Sequence, residues 1–334
     1  MKKGHLHEFL TEYAAGDNLR LHTPGHKGKL CDIDITELDG VFPDAQIEAA
    51  ERDIAAAYNA KHARLLACGS SQGVKAAVYF AAANGIADVN SHRSVFDGFK
   101  LSGKTVKTVG RRGDVRPITV KDIDGALTPD IGCVVVTSPT YYGFVADVDG
   151  IADYCKRKGL LFIVDGAHGA HFGFSPLLPK AFADKCDICN VSAHKTLKAF
   201  TQGAILLDNL SERKSDKLFE AVKIMGTTSP SYPLYASIED AVIAARSDEK
   251  AYAALYGPIG ELRGRFPFLK NDDFTRLVLD CERAGVSPKE LNATLVGKGV
   301  YSELVTDKYI VFLFTAADSA ENVQRLYAAL RACI

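Results

Sequence analysis

The feature of this sequence that most restricts its fold is a series of short apolar runs alternating with helical patterns. The runs predict strands at residues 64–68, 104–109, 133–137, 160–165, 188–192 and 203–207. Between several of them, apolar residues at helical spacing predict helices at 46–60, 72–84 and 150–158. Alternation of this kind predicts an α/β fold whose mostly parallel sheet has helices on both faces.

The pattern changes after residue 230, which predicts a second, smaller α/β domain. Pro230 and Pro233 interrupt the alternation, and a long helix is predicted at 235–256. A strand at 274–279, a helix at 288–298, a strand at 310–314 and a final helix from Ala320 follow. We therefore predict an irregular N-terminal arm at 1–45, a large domain at 46–230 and a small domain at 231–334.

Composition excludes several classes of function. The 334 residues are 47% hydrophobic with a net charge of -1, which is typical of a globular protein and offers no basic surface for nucleic acid or anionic lipid. No apolar segment approaches the roughly 20 residues that span a bilayer, and the first residues show no signal-peptide core. The eight cysteines lie mostly in apolar runs, and the Cys186-x-x-Cys189 pair falls in a predicted strand. We expect a cytoplasmic protein with reduced cysteines, no membrane partner and no nucleic-acid partner.

Two chemically complementary residues follow predicted strands. Asp165 closes the apolar run 160–165, and Lys195 follows the run 188–192. In an open parallel sheet such positions meet at the carboxyl edge, where ligands bind. A lysine amine can hold the aldehyde of pyridoxal 5'-phosphate (PLP) as a Schiff base, and a buried aspartate can keep the pyridine nitrogen protonated. The pair predicts a PLP site, although each residue alone is more often a surface or capping residue than a catalyst.

A phosphate site is predicted at residues 68–73. Gly69, Ser70, Ser71 and Gln72 follow a strand and open a helix, so backbone N–H groups and hydroxyls can meet a dianion there. An ordinary strand-to-helix turn with a serine cap is the alternative.

Five motifs, in order along the chain, carry a resemblance to a known family. They are His22-Thr23-Pro24-Gly25-His26-Lys27, Thr137-Ser138-Pro139-Thr140-Tyr141-Tyr142-Gly143, Asp165-Gly166-Ala167-His168-Gly169-Ala170-His171-Phe172, Ser192-Ala193-His194-Lys195-Thr196 and Thr228-Ser229-Pro230-Ser231-Tyr232. Together they resemble the signatures of the Orn/Lys/Arg decarboxylases, which share the aspartate-aminotransferase-like type I fold of PLP enzymes. The resemblance implies PLP-dependent decarboxylation of arginine, lysine or ornithine, within amino-acid metabolism and polyamine biosynthesis.

The resemblance also implies roles for individual residues. Lys195 would form the Schiff base, Asp165 would hold the pyridine nitrogen, His92 would stack on the ring, and His168 would lie near its phenolic oxygen. The phosphate would be held by Ser70, Ser71, Ser192 and His194, near Gln72, with Thr228 or Ser229 reaching in from a second subunit of a homodimer. For a basic substrate, the acidic candidates are Glu303, Asp34 and Glu37.

Other interpretations remain open. His22 with His26, or His168 with His171, have metal-ligand spacing, but no motif completes a tetrahedral set, and we predict no metal. His92 and His194 could be hydrogen-bonded core residues. Arg276 stands where an aminotransferase would hold a substrate carboxylate.

The chain also departs from the family's pattern. Gly166 replaces the glutamate of the family's Asp-Glu-Ala-His-Gly. Because the sequence ends at Ile334, we expect the C-terminal domain of longer members to be absent or much reduced. A different reaction of the same fold, or a PLP-binding protein without catalysis, is therefore the alternative to a decarboxylase.

Overall fold

A seven-stranded sheet forms the centre of the larger part of the chain. The computed structural model describes residues 3–36, 38 and 43–334. Within them the strand order is β1-β7-β6-β5-β4-β2-β3, and β7 alone runs against the other six. The strands are β1 His62–Leu66, β2 Asn84–Asp88, β3 Val106–Val109, β4 Ile131–Thr137, β5 Leu161–Asp165, β6 Ile188–Val191 and β7 Ala204–Asp208. The predicted α/β fold with a mostly parallel sheet is confirmed.

Helices cover both faces of this sheet. They are α1 His5–Ala15, α2 Asp44–Ala57, α3 Ser70–Ala81, α4 Arg93–Ser102, α5 Val120–Ala126, α6 Val148–Lys158, α7 Ala193–Thr196, α8 Glu212–Ile224 and α9 Tyr232–Ala245. Strand β4 shows how the two cores are divided, because Val134 and Val136 pack in one buried cluster while Cys133 and Val135 pack in the other. Alternate side chains of a strand point to opposite faces, so both faces are buried under helices.

The C-terminal part forms a second α/β unit with its own core. Its elements are α10 Glu249–Arg265, β8 Arg276–Asp280, α11 Pro288–Gly297, β9 Leu304–Val305, β10 Tyr309–Leu313 and α12 Ala320–Arg331. The strands pair antiparallel in the order β8-β10-β9, and a separate cluster of buried apolar residues lies between this sheet and its helices. The boundaries that we place at residues 45 and 230 remain predictions.

Several elements differ from the sequence-based expectation. The arm is not irregular throughout, because α1 occupies residues 5–15. The helix expected at 72–84 ends at Ala81, and β2 follows at once. The helix expected at 235–256 is two helices, α9 and α10. Helix α9 begins at Tyr232, before Pro233, since proline in a first helical turn gives up no intrahelical hydrogen bond.

All eight cysteines are free thiols, and five of them are buried. Among the described residues, no helix combines the length and the apolar character that a bilayer-spanning segment needs.

Candidate functional site

A cavity of about 510 Å³ lies at the carboxyl edge of the large sheet. We call it the site cavity. Its walls come from the segments that follow β1, β2, β4, β5 and β6, as expected for parallel strands. Eight of the predicted site residues line it, namely Ser70, Ser71, His92, Asp165, His168, Ser192, His194 and Lys195. The sheet therefore brings together residues that are up to 125 positions apart in the sequence.

Lys195 enters the cavity from α7, a single helical turn directly after β6. Its Nζ lies 3.1 Å from Nε2 of His168. Burial lowers the pKa of Lys195; Asp165 and Glu303 act in the opposite direction, and Arg276 acts in the same direction as burial. The surroundings therefore favour the neutral amine, which is the nucleophilic form of a lysine.

Asp165 is the last residue of β5, and its side chain is buried. Burial raises the pKa of this carboxyl group, whereas Lys195, the Ala167 N–H and His92 lower it. Within the described residues its one hydrogen bond is at Oδ1, which accepts from the Ala167 N–H at 3.3 Å. The carboxylate therefore keeps acceptor capacity for a cationic N–H.

Hydroxyl groups surround the start of α3. Ser70 is the first residue of that helix, and its Oγ shares a hydrogen bond with Oγ of Ser192, which precedes α7. Gly69, just before the helix, has φ of +74°, a conformation that suits glycine. His194 lies beside this group, and its Nδ1 donates to the Gly203 carbonyl at 3.1 Å. Backbone N–H groups and hydroxyls at a helix N-terminus make a binding site for a phosphate dianion.

His92 forms the N-cap of α4. Its Nδ1 accepts from the Ser94 N–H at 3.2 Å, and the ring is exposed in the site cavity. The hydrogen bond fixes the orientation of the imidazole and leaves its face available for a planar ligand.

Three predicted cofactor residues do not line the cavity. Gln72 is buried with its amide engaged by the backbone, since Nε2 donates to the Val222 carbonyl and Oε1 accepts from the Cys68 N–H. Its contacts join α3 to α8 instead of reaching the cavity. Thr228 and Ser229 are exposed, in the turn between α8 and α9.

Of the two acidic candidates that the structure describes, Glu303 contacts a residue of the cavity and Asp34 does not. Its Oε1 accepts from the Tyr141 hydroxyl at 2.6 Å, and Tyr141 lines the cavity. Asp34 instead accepts from Nε2 of His26 at 3.0 Å within the arm. Glu37 lies outside the described residues.

Tyr141 is a cavity residue to which the sequence analysis gave no role. Its ring centroid lies 4.5 Å from that of His168, in a tilted arrangement. Burial, followed by the hydrogen bond to Glu303, raises the pKa of Tyr141, so the phenol stays protonated and donates. The available signal was its position four residues after the end of β4.

Arg276 takes a position different from the one an aminotransferase would need. It opens β8, is completely buried and donates from Nη2 to Nδ1 of His168 at 3.2 Å. It does not line the site cavity. The guanidinium therefore lies behind His168.

The residues of the cavity fit PLP. The buried carboxylate of Asp165 has free acceptor capacity for the pyridine nitrogen. The amine of Lys195, whose pKa is lowered, suits the aldehyde, and the hydroxyl groups at the start of α3 suit the phosphate. The fit rests on the donors and acceptors that these side chains leave open toward the cavity.

Comparison with known proteins gives the family. A model of the Orn/Lys/Arg decarboxylase major domain matches residues 29–256. An uncharacterized protein of Bacillus subtilis, YaaO, is 28% identical over 92% of this chain and 73% of its own. The arginine decarboxylase of Bacillus anthracis is 26% identical over 96% of this chain and 75% of its own.

Solved structures share the fold. The lysine decarboxylase of Francisella novicida superposes with a TM-score of 0.78 at 17% identity, covering 99% of this chain and 59% of that one. A NifS-like protein superposes with a TM-score of 0.72 at 13% identity, covering 98% of this chain and 94% of that one. The chain thus spans somewhat more than half the length of the lysine decarboxylase and nearly all of the NifS-like protein. It belongs to the Orn/Lys/Arg decarboxylase family, a family of PLP-dependent amino-acid decarboxylases with the type I fold.

Proposed function

We propose that this protein uses PLP to decarboxylate a basic amino acid, arginine, lysine or ornithine, to the corresponding amine. The observation that carries the proposal beyond family membership is the contact between Tyr141 and Glu303. It holds a carboxylate of the small unit next to a cavity that contains a lysine and an aspartate suited to PLP. A carboxylate at that place complements the cationic end of a basic side chain.

Each cavity residue has a defined task in this proposal. PLP, once bound, supplies an electron sink for the bond that breaks at the substrate α-carbon. Lys195 would provide the amine that holds the cofactor aldehyde. Asp165 would hold the proton on the pyridine nitrogen, and His92 would cover the ring face. The phosphate would be held by Ser70, Ser71, Ser192 and His194.

Proton transfer at the α-carbon is assigned to the pair formed by Lys195 and His168. Their nitrogens are within hydrogen-bond distance of each other, so a proton can pass between them without rearrangement. Loss of carbon dioxide leaves an α-carbon that needs one proton, and the pair formed by Lys195 and His168 would supply it.

A homodimer with shared active sites is part of the proposal. Thr228 and Ser229 are exposed in one chain, although their motif is among those that match the family. We infer that they complete the phosphate site of a neighbouring copy, and that the protein acts in the cytoplasm.

The position of Arg276 removes the main support for the aminotransferase alternative. A guanidinium that holds a substrate carboxylate must face the substrate, whereas Arg276 contacts His168 and stays outside the cavity wall. A non-catalytic PLP-binding protein remains the second candidate, because Gly166 removes the carboxylate that the family pattern places after Asp165.

The test combines a spectrum with product analysis. Purified protein with PLP should show the absorbance of lysine-bound cofactor, and Lys195→Ala should lose it. Lys198→Ala is the matched control, since Lys198 is paired with Asp248 at 2.8 Å and does not line the cavity. Release of carbon dioxide and amine from one of arginine, lysine or ornithine supports the proposal. Bound cofactor with no amine from any of the three overturns it.

A further inference from the structure

Both ring nitrogens of His168 are engaged, each by a different basic residue. Nε2 lies 3.1 Å from Nζ of Lys195, and Nδ1 lies 3.2 Å from Nη2 of Arg276. The side chain is buried, so water does not compete freely for either nitrogen. The three residues form one chain of hydrogen bonds from β8 to α7.

The protons in this chain can be counted. An arginine side chain has donors and no acceptor, so Nδ1 of His168 must be the acceptor of that contact. A neutral imidazole carries one proton, which then sits on Nε2 and points at Lys195. Nζ of Lys195 can accept it only if the amine has a lone pair. The geometry is therefore consistent with a neutral lysine and not with an ammonium ion.

Burial and charge act in the same direction on the imidazole. The pKa of His168 lies well below its usual value because of burial and because of the nearby Lys195, Arg276 and other histidines. A second proton on the ring is thus disfavoured, and the count above applies at neutral pH.

The side-chain hydrogen bond of Arg276 goes to His168, and its guanidinium carbon also lies 5.9 Å from the centroid of the Tyr141 ring. The side chain of Arg276 is completely buried, Nη2 is hydrogen-bonded to the imidazole, and Nε and Nη1 have no hydrogen-bond partner among the described residues. Its carbonyl accepts from Arg263 and Asn271, which fix the start of β8. An arginine buried in this way has a high desolvation cost, which the charges of Asp273 and Glu303 offset only in part, since burial still lowers the pKa of Arg276.

We propose that Arg276 is a positioning residue, which fixes His168 as the Nε2–H tautomer and thereby holds the Lys195 amine in its neutral form. A neutral amine condenses with an aldehyde: its lone pair forms the new C–N bond, and its two hydrogens leave with the aldehyde oxygen as water. The proposal rests on the assignment of Lys195 as the cofactor lysine under the proposed function, but not on the decarboxylation step.

The charges around Lys195 show why a group that favours the neutral amine is useful. Asp165 at the end of β5 and Glu303 before β9 both favour the ammonium form. Arg276 on β8 is the charge that opposes them, and His168 transmits its effect as a directed hydrogen bond. His92, at the start of α4, also faces Asp165. Without Arg276, His168 could move its proton to Nδ1 and accept from an ammonium at Nε2.

The first measurement identifies the tautomer of His168. The whole chain, freed of PLP with hydroxylamine and labelled with ¹⁵N-histidine, is examined by long-range ¹H–¹⁵N NMR, and the His168 signals are assigned by their loss in His168→Gln. We expect an unprotonated Nδ1 and a protonated Nε2. A protonated Nδ1 in the unsubstituted protein overturns the proposal, whether or not any variant folds.

The second measurement is the reactivity of Lys195 in the same PLP-free chain. The rate of reductive methylation of Lys195 is followed by peptide mass spectrometry between pH 6 and 10, with exposed Lys217 as the internal reference. Arg276→Met should raise the pKa of Lys195 by about one unit, which reduces its rate at neutral pH about tenfold, and should shift the His168 proton toward Nδ1. Arg276→Lys, which keeps a charged donor, should remain within about threefold of the parent.

The outcomes separate this proposal from the proposed function. An unchanged Lys195 profile in a folded Arg276→Met variant overturns the positioning role, even if the parent releases amine from a basic amino acid. The expected tautomer and pH shift in a protein that decarboxylates none of the three substrates would support the positioning role and contradict the proposed function.

Discussion

Nε2 of His171 lies 3.1 Å from Oδ2 of Asp273, and both side chains are completely or almost completely buried. The same two segments make a second contact. Arg276, three residues after Asp273, donates to His168, three residues before His171. A third contact, between Oγ1 of Thr275 and Nε2 of His171 at 3.4 Å, joins the same segments, the loop after β5 and the start of β8. The contact of His171 with Asp273 is an acid-base pair, and the contact of His168 with Arg276 leads to the candidate catalytic lysine.

Asp273→Asn should weaken this junction. Burial by itself raises the pKa of Asp273, but His171, Thr275 and Arg276 outweigh it, so the pKa lies below its usual value. A carboxyl group whose folded pKa is depressed stabilises the protein above the unfolded pKa and loses that effect as pH falls through the folded pKa. We expect a loss of about 1–3 kcal/mol in the free energy of unfolding at pH 7, and a smaller difference below about pH 4.

Urea titrations at several pH values measure this loss. Asp272→Asn is the matched control, because the adjacent carboxylate is exposed and accepts one hydrogen bond, from the Val145 N–H at 2.8 Å. Equal losses in the two variants would show that the buried pair contributes nothing specific.

How far the fold is predictable depends on how much of each element's stability is local. Strands β4 and β5 are apolar, β-branched runs and are recognisable without context. Strand β2 contains Gly85, which disfavours a strand locally, but it pairs with β3 and β4. A Cβ at Gly85 would meet the Phe99 ring at 2.4 Å and Cys133 at 2.8 Å, so tertiary packing requires a glycine there. The N–H groups at the start of helix α1 donate to carboxylates of α9, over 230 residues away in the sequence. Contacts between residues so far apart leave no local sequence pattern.

The same distinction applies to the site. Lys195 and Asp165 follow strands, and general rules for parallel sheets predict that they share an edge. The contact between Arg276 and His168 is not predictable in this way, because strand order and domain packing bring together two residues that are 108 positions apart. A position at the start of a strand is compatible with a carboxylate clamp, yet the direction of the Arg276 side chain depends on tertiary packing.

Gly166→Ala should destabilise the protein, although it adds a single methyl group. A Cβ at this position would lie 3.1 Å from the Asn190 carbonyl oxygen and 3.2 Å from the Phe182 ring. Contacts of this length force small shifts in a packed interior, and we expect a loss of about 1–3 kcal/mol. The glutamate of the family pattern cannot enter here without displacement of Phe182.

A double-mutant cycle with Phe182→Leu tests the stated cause. The smaller side chain removes the ring contact, so Gly166→Ala should cost less in that background than in the parent. Equal costs in both backgrounds would point to the Asn190 carbonyl as the sole obstacle and contradict the role given to Phe182.

Glu51→Gln should change the pH dependence of stability. Burial, the largest influence, raises the pKa of Glu51 to about 7, although Arg64 and the Leu65 N–H lower it. A carboxyl group with a raised folded pKa contributes stability that is fully present below its unfolded pKa and is lost as pH rises through the folded value. The variant, which stays neutral, should gain on the order of 2 kcal/mol relative to the parent between pH 5 and pH 8.

Denaturation at those two pH values provides the measurement. Glu249→Gln, at an exposed position in α10, should follow the parent at both pH values. A parent stability that is flat between pH 5 and pH 8 would contradict the buried, protonated state of Glu51.

Glu239→Gln should destabilise helix α1. The buried carboxylate accepts from the N–H groups of His5 at 2.7 Å and Leu6 at 3.0 Å, so it caps the helix from a distant part of the chain. A carboxamide can accept one of these hydrogen bonds, but its NH₂ faces the other donor, and we expect a loss of about 1–3 kcal/mol. Faster amide exchange confined to residues 5–15 would be the direct sign. Asp240→Asn, at a less buried acceptor, should show a smaller effect.

Glu303→Gln should reduce the use of a basic substrate while leaving the cofactor in place. The carboxylate accepts from Tyr141 at the cavity, and a hydrogen bond or ion pair to a cationic substrate end contributes about 1.5–3 kcal/mol. That range corresponds to a fall in kcat/KM of about 10- to 150-fold. Tyr141→Phe, which keeps the carboxylate but removes its hydroxyl partner, should have a smaller effect. If Glu303→Gln instead left kcat/KM unchanged for arginine, lysine and ornithine, another group would have to recognise the substrate's charge, and the structural basis for preferring a basic amino acid would be lost.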